Sequence, residues 1–229
     1  MSLYVDSALL AEVARVRAAF PVAGVTTNPS ILLAAISRGQ RLDDVAVLRG
    51  LLDLLEPGGG SVFMQPVGAT ADDLQAMAAR YLDTNADRVV LKLPMTAPGL
   101  AAGTRLLREG ARVAFTAAST SAQAYCAAAA GAGWVIPYFG RLRRAGLDPC
   151  ERIAEMARVV YGQNAPTRIL AASLKTTSDV MEATLAGARD FTAPPAVIEG
   201  LLADQITEDA ILRFEDDWAA ARRALTATP

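Results

Sequence analysis

Short runs of β-branched and apolar residues recur along the chain, and between them lie longer stretches whose apolar positions return every three or four residues, the spacing of one helix face. Eight of the short runs read as strands, at 3–6, 24–27, 62–66, 88–93, 112–116, 134–138, 168–172 and 189–192. Helical spacing predicts helices over stretches such as 72–82, 97–109, 119–130, 149–161 and 178–186. A further helical stretch at 43–55 adds a second helix after the second strand, and 204–225 reads as a charged amphipathic helix beyond the eighth unit.

Strictly alternating strands and helices give parallel strands joined by right-handed crossovers, and eight such units in this length favour a closed barrel over an open sheet. The expected architecture is α/β, a single (β/α)8 TIM barrel spanning 1–229 with an extra C-terminal helix. That last helix has no strand to cover, so it packs either on its own barrel or on a neighbouring subunit.

Composition narrows the class. With 229 residues, 52% of them hydrophobic, and a net charge of −2, the chain can bury one substantial core. Its cations are scattered rather than clustered, which argues against nucleic acid and membrane partners. The first residues, MSLYVDSALL, lack a basic segment followed by an apolar run, and the expected location is the cytoplasm. Cys126 and Cys150 have no partners at metal-ligand spacing and read as isolated thiols, so no metal site is expected.

Two absences constrain the chemistry more sharply. The chain has no histidine, and of its 22 basic residues only Lys92 and Lys175 are lysines. A Ser-His-Asp triad, a His-activated cysteine and a His-rich zinc site are therefore all excluded, and proton transfer falls to Tyr, Asp, Glu or Lys. Where arginine meets every ordinary need for positive charge, a surviving lysine invites the question of what arginine could not do there. Arginine cannot become a neutral nucleophile; lysine can.

Active sites of such barrels gather at the C-terminal ends of the strands. The polar residues expected there are Asp6, Thr26, Thr27 and Asn28, Gln65, Lys92, Thr116, Tyr138, and Ser173 with Lys175. Lys92 lies in the apolar strand VVLKLP, where burial favours the free amine, the form that attacks a ketone carbonyl. The alternative is a structural lysine paired with an inward carboxylate such as Asp6. Lys175, between the seventh strand and the next helix, stands where barrels often hold a phosphate with loop amides and a helix N-terminus, and Arg141 could add a forked contact to the same anion. Each of these is otherwise a solvated loop cation. Tyr138 can exchange a proton, with Gln65 and Thr116 able to fix a water beside it, or can simply be a half-buried packing residue. Asp6 and Asn28 suit substrate hydroxyls or orientation of the lysine; equally, Asn28 can serve only as a cap opening the second helix.

Taken together, YVD at 4–6, GVTTNPS at 24–30, VVLKLP at 89–94 followed by Thr96, Gly99 and Leu100, Pro137 and Tyr138 with Gly140 and Arg141, and AASLK at 171–175 resemble the transaldolase family over nearly the whole chain. Within it they resemble the subgroup containing fructose-6-phosphate aldolase. The resemblance implies a Schiff base on Lys92, with Asp6, Thr26 and Asn28 contacting lysine or substrate and Arg141, Ser173 and Lys175 holding a phosphate. It implies a class I aldolase acting on small ketose and aldehyde substrates with no metal or organic cofactor, assembled as a homo-oligomer of five or ten chains. Transaldolases proper typically carry Glu, Phe and Asn where this chain has Gln65, Tyr138 and Ala114, which points to the aldolase subgroup. Ile136 is bulkier than the small residue usual there, so a less hydroxylated donor is expected. The loop at 142–147 lacks the acidic, glycine-rich character usual after Arg141. The rival readings are a transaldolase, a silent phosphosugar-binding barrel, and a deoxyribose-phosphate-type aldolase, whose usual motifs differ from these.

Overall fold

The apolar runs become strands because each is wrapped on both sides, by barrel interior and by covering helices, as a buried parallel strand requires. The computed structural model describes residues 1–41, 43–56, 58–162 and 164–226. Eight parallel strands close in sequence order: β1 (Ser2–Asp6), β2 (Val22–Thr26), β3 (Ser61–Met64), β4 (Val89–Pro94), β5 (Arg112–Ala118), β6 (Trp134–Pro137), β7 (Arg168–Ala171) and β8 (Asp190–Ala193). Strand β8 pairs back onto β1, with Thr192 opposite Tyr4, completing the expected (β/α)8 barrel.

The helices are α1 (Leu10–Ala19), α2 (Pro29–Ser37), α3 (Asp44–Leu54), α4 (Ala71–Asn85), α5 (Ala97–Arg108), α6 (Ser121–Ala129), α7 (Phe139–Arg144), α8 (Pro149–Gly162), α9 (Thr177–Leu185), α10 (Pro195–Glu199) and α11 (Gln205–Thr226). Several start on a cap that the sequence supplies directly after a strand. Thr70, Thr120 and Thr176 form capping boxes with Asp73, Gln123 and Asp179, while Asn28 and Thr96 cap helices that carry proline in the first turn. Short α7 is too brief to show a helical period and is not visible as one in the sequence. The chain divides into two compact units, Met1–Ile198 and Glu199–Pro229. The second contains α11, which buries none of its residues. Among the described residues no helix is long and apolar enough to cross a membrane.

Inside the barrel, side chains stack in layers two residues apart along each strand. The middle layer is apolar: Tyr4, Phe63, Val90, Ala114, Ile136 and Leu170 pack as one cluster. Below it, toward the strand N-termini, the buried Asp190 carboxylate accepts from Arg168 and, at 3.1 Å, from Trp134 Nε1. Phe63 meets Tyr4 and Trp134 edge-on at 5.2 and 5.1 Å between ring centroids. Burial, and secondly the Asp190 charge, push the Tyr4 phenol up to about 12, so this hydroxyl stays protonated. The floor is closed by packing and a paired charge, and chemistry is left to the other end.

Candidate active site

Two residues further along five of these strands from the apolar layer, the inward positions turn polar, while on β7 Leu170 is followed by the buried Ala172. Tyr4 gives way to Asp6, Phe63 to Gln65, Val90 to Lys92, Ala114 to Thr116 and Ile136 to Tyr138. One pleat therefore separates a hydrophobic plug from a ring of acid, amine, amide and hydroxyl groups.

A cavity of about 220 Å³ opens above this ring, and Asp6, Asn28, Lys92, Tyr138, Ser173 and Lys175 line it together with Arg141 and the α2 residues Ser30, Ile31 and Ala34. Seven expected site residues, from five of the eight strand–helix units, thus face one space. Lys92 is only 1% exposed. Its Nζ donates to the Thr27 carbonyl at 3.1 Å, and among the described residues no ion pair includes it. The structural alternative, a lysine paired with Asp6, is not what forms. Thr27 is itself pinned to β3, its N–H and its hydroxyl both donating to the Phe63 carbonyl at 3.0 and 2.9 Å. The amine is thereby held by a neutral carbonyl on a rigid support.

Asp6 is engaged elsewhere. Its Oδ1 accepts from Thr26 Oγ1 at 2.6 Å, and Thr26 Oγ1 lies 2.6 Å from Thr192 Oγ1. A hydroxyl has one proton, so Thr192 donates to Thr26 and Thr26 to Asp6. Thr26 is fully buried and does not line the cavity; its hydroxyl holds the carboxylate rather than meeting substrate. Thr192 was not anticipated, although its position, two residues beyond inward Asp190 on β8, carries the signal. Asn28 is the cap of α2, its Oδ1 accepting from Ile31 N at 3.1 Å, and it also lines the cavity.

On the far side, Thr116 Oγ1 donates to Tyr138 Oη at 2.7 Å, and Lys92 Nζ stands 6.0 Å from the Tyr138 ring centroid. Gln65 Oε1 is buried without a hydrogen-bond partner among the described residues. Neither Gln65 nor Thr116 reaches the cavity surface itself. The Arg141 guanidinium carbon lies 4.3 Å from the Tyr138 ring centroid, a cation–π stack that fixes both side chains.

The cationic side of the cavity is built by two loops drawn together. Gly140 N donates to the Ser173 carbonyl at 3.1 Å, and a Cβ on Gly140 would fall 2.6 Å from that oxygen. Ser173 has φ +62°, a left-handed conformation unusual outside glycine, so this approach is held at a backbone cost. The expectation that loop amides near Lys175 face an anion needs correction. Lys175 N and Thr176 N donate to Asp179 Oδ2 at 2.7 and 3.2 Å, because the helix carries its own carboxylate at the capping position. Arg143 anchors that carboxylate from α7 at 2.6 Å. The side chains of Arg141, Lys175 and Ser173 remain at the cavity as groups able to meet an anion. Two cations against the one carboxylate of Asp6 bias this end of the cavity toward negative charge.

Residues 3–228 match the sequence profile of the family described as Transaldolase/Fructose-6-phosphate aldolase. The chain belongs to that family. Among its similar relatives are proteins described as "Probable transaldolase" from Symbiobacterium thermophilum, 36% identical over 97% of this chain and 99% of the relative, and from Thermus thermophilus, 36% identical over 95% and 98%. A third, from Cereibacter sphaeroides and described in the same words, is 38% identical over 96% of both chains. The transaldolase-family barrel thus carries, at the C-terminal ends of its strands, a buried lysine that no ion pair among the described residues includes, a tyrosine–threonine hydroxyl pair and a cationic recess.

Proposed function

We propose that this transaldolase-family enzyme is a class I aldolase that cleaves or forms the C3–C4 bond of a ketose phosphate through a Schiff base on Lys92, converting fructose 6-phosphate to dihydroxyacetone and glyceraldehyde 3-phosphate or acting on hydroxyacetone-type donors. The observation that carries this reading is the burial of the Lys92 amine against a neutral carbonyl, 6.0 Å from the ring centroid of Tyr138, whose hydroxyl accepts from Thr116.

In the proposed cycle Lys92 Nζ adds to the ketose C2 carbonyl, and the carbinolamine hydroxyl departs as water with the Tyr138 proton, leaving an iminium and a Tyr138 phenolate. The C4 hydroxyl proton passes to Tyr138, directly or through a water that Gln65 and Thr116 help to hold, as the C3–C4 bond breaks. That bonding pair becomes the enamine C2–C3 double bond, with the C2–N π pair returning to nitrogen, and the aldehyde departs. Tyr138 returns the proton to C3, and water hydrolyses the resulting iminium to release the three-carbon ketone and free the amine. Asp6 serves to orient the amine or take a substrate hydroxyl, Asn28 binds a hydroxyl through its free amide, and Arg141, Ser173 and Lys175 receive the phosphate.

Transfer of the three-carbon unit to a second aldose phosphate is the alternative, favoured by the descriptions of the relatives. Incubation with fructose 6-phosphate alone, then with erythrose 4-phosphate added, separates the two. Free dihydroxyacetone in the absence of acceptor supports the aldolase; turnover only with the acceptor supports the transferase. The exposed Phe214 and Trp218, one helical turn apart on α11, support assembly with a neighbouring copy, and the family resemblance supports a cytoplasmic homo-oligomer.

A further inference from the structure

A second cavity, of about 340 Å³, adjoins the first across Tyr138 and Arg141, which line both. Its character is opposite. Ala117, Ala118, Leu142, Ala145 and Leu147 form its walls, Ser119 and Tyr138 add hydroxyls, and among the described residues that line it Arg141 alone is charged. The recess owes its opening to an irregularity at the end of β5: Thr116 pairs with Ile136, the ladder then skips a residue, and Ala118 pairs with Pro137. The skipped residue, Ala117, takes φ +62°, a conformation that disfavours any residue with a Cβ. The bulge falls immediately after Thr116, the residue bonded to the proton-exchanging tyrosine. Small side chains at 117, 118 and 145 leave the space that larger residues would fill.

We infer that this recess is a second acceptor subsite, taking the apolar tail of an unphosphorylated aldehyde, an unbranched alkanal or an arylalkanal, whose carbonyl lies at Tyr138. This rests on the aldolase reading of Lys92 and Tyr138. The two recesses sort acceptors by chemistry. A phosphorylated aldehyde extends toward Arg141, Ser173 and Lys175, while an apolar one extends past the opposite side of the Tyr138–Arg141 stack. Five of the eight residues lining the second recess are Ala or Leu, so most of a multiply hydroxylated chain would be desolvated without a partner there, whereas methylenes entering it leave water at little polar cost.

The test is carboligation of dihydroxyacetone with propanal, butanal, pentanal and hexanal, with glyceraldehyde 3-phosphate as reference, in wild type and in Ala145→Trp and Leu147→Asp. Both substituted residues are exposed and lie outside the reactive cavity. In wild type the acceptor KM falls about threefold per added methylene. Either substitution raises KM for hexanal about tenfold or more and leaves that for glyceraldehyde 3-phosphate unchanged. A KM independent of chain length in wild type, or a gradient that survives both substitutions, overturns the subsite. A parallel titration with 3-phenylpropan-1-ol, followed by amide NMR, needs no turnover. Saturable shifts at Ala117, Ala118 and Leu147 that Ala145→Trp abolishes support the subsite even if Lys92 forms no imine; their absence in wild type overturns it.

Discussion

Thr116 Oγ1 donates to Tyr138 Oη at 2.7 Å, so the tyrosine oxygen is held by a neighbour while its own proton is left for the cavity. Tyr138→Phe is expected to lower the rate of fructose 6-phosphate cleavage roughly 10²- to 10⁴-fold while Lys92 still forms a reducible imine with dihydroxyacetone. Thr116→Val, which keeps the shape and removes the donor, is expected to lose about tenfold, from one hydrogen bond of about 1–1.5 kcal/mol. Steady-state rates alongside borohydride trapping separate proton transfer from imine formation, and equal loss of both in Tyr138→Phe would refute the assignment.

The cationic recess makes a prediction about KM. Because the amides of Lys175 and Thr176 are occupied by Asp179, the proposed phosphate site is built from side chains. Lys175→Met is expected to raise KM for fructose 6-phosphate roughly 10- to 100-fold, the loss of a charge-assisted contact of about 1.5–3 kcal/mol. Carboligation with unphosphorylated glyceraldehyde is expected to stay within about twofold. Equal effects on both substrates would place Lys175 outside phosphate binding.

Asp179 gives the same loop a pH dependence. Burial acts to raise its carboxyl, but the Lys175 N–H, the Arg143 guanidinium and the Thr176 N–H outweigh it, and the group titrates below its ordinary value. A carboxyl depressed in the fold contributes stability that is complete above its unfolded value of about 3.9 and is lost as pH falls through the folded value. The difference in urea midpoint between wild type and Asp179→Asn is therefore expected to be constant above about pH 5 and to shrink below about pH 4. A difference that persists unchanged at low pH would show that the carboxylate charge is not what holds the loop.

At the opposite end of the barrel, Asp190 bears on stability alone. Its fully buried carboxylate is shared by Arg168 and Trp134, and Asp190→Ala leaves both donors without an acceptor. A loss of about 3 kcal/mol is expected by urea unfolding, with kcat at 25 °C unchanged in the folded protein. A stable variant with impaired kcat would move this residue into the chemistry.

The barrel was legible because eight apolar runs and their intervening helical periods are regular, and the polar ring because strand ends are where barrels keep their chemistry. Lys92 stood out through the scarcity of lysine itself. The parts that were not legible depend on contacts across the barrel. Thr26 is drawn from the cavity wall to Asp6 and Thr192, and β8 lies more than 160 residues away in sequence. The amides near Lys175 are lost to a carboxylate whose capping role looks purely local in the sequence. The bulge at Ala117 and the left-handed Ser173 occur at residues other than glycine, so nothing in their identity announces them.

Borohydride reduction in the presence of dihydroxyacetone, followed by intact mass and peptide mapping, tests the central claim most directly, since only two lysines can carry the adduct. The account predicts a donor-dependent adduct on Lys92, absent from Lys92→Arg, which cannot form an imine. An adduct on Lys175, or none with dihydroxyacetone, hydroxyacetone or fructose 6-phosphate, would contradict it.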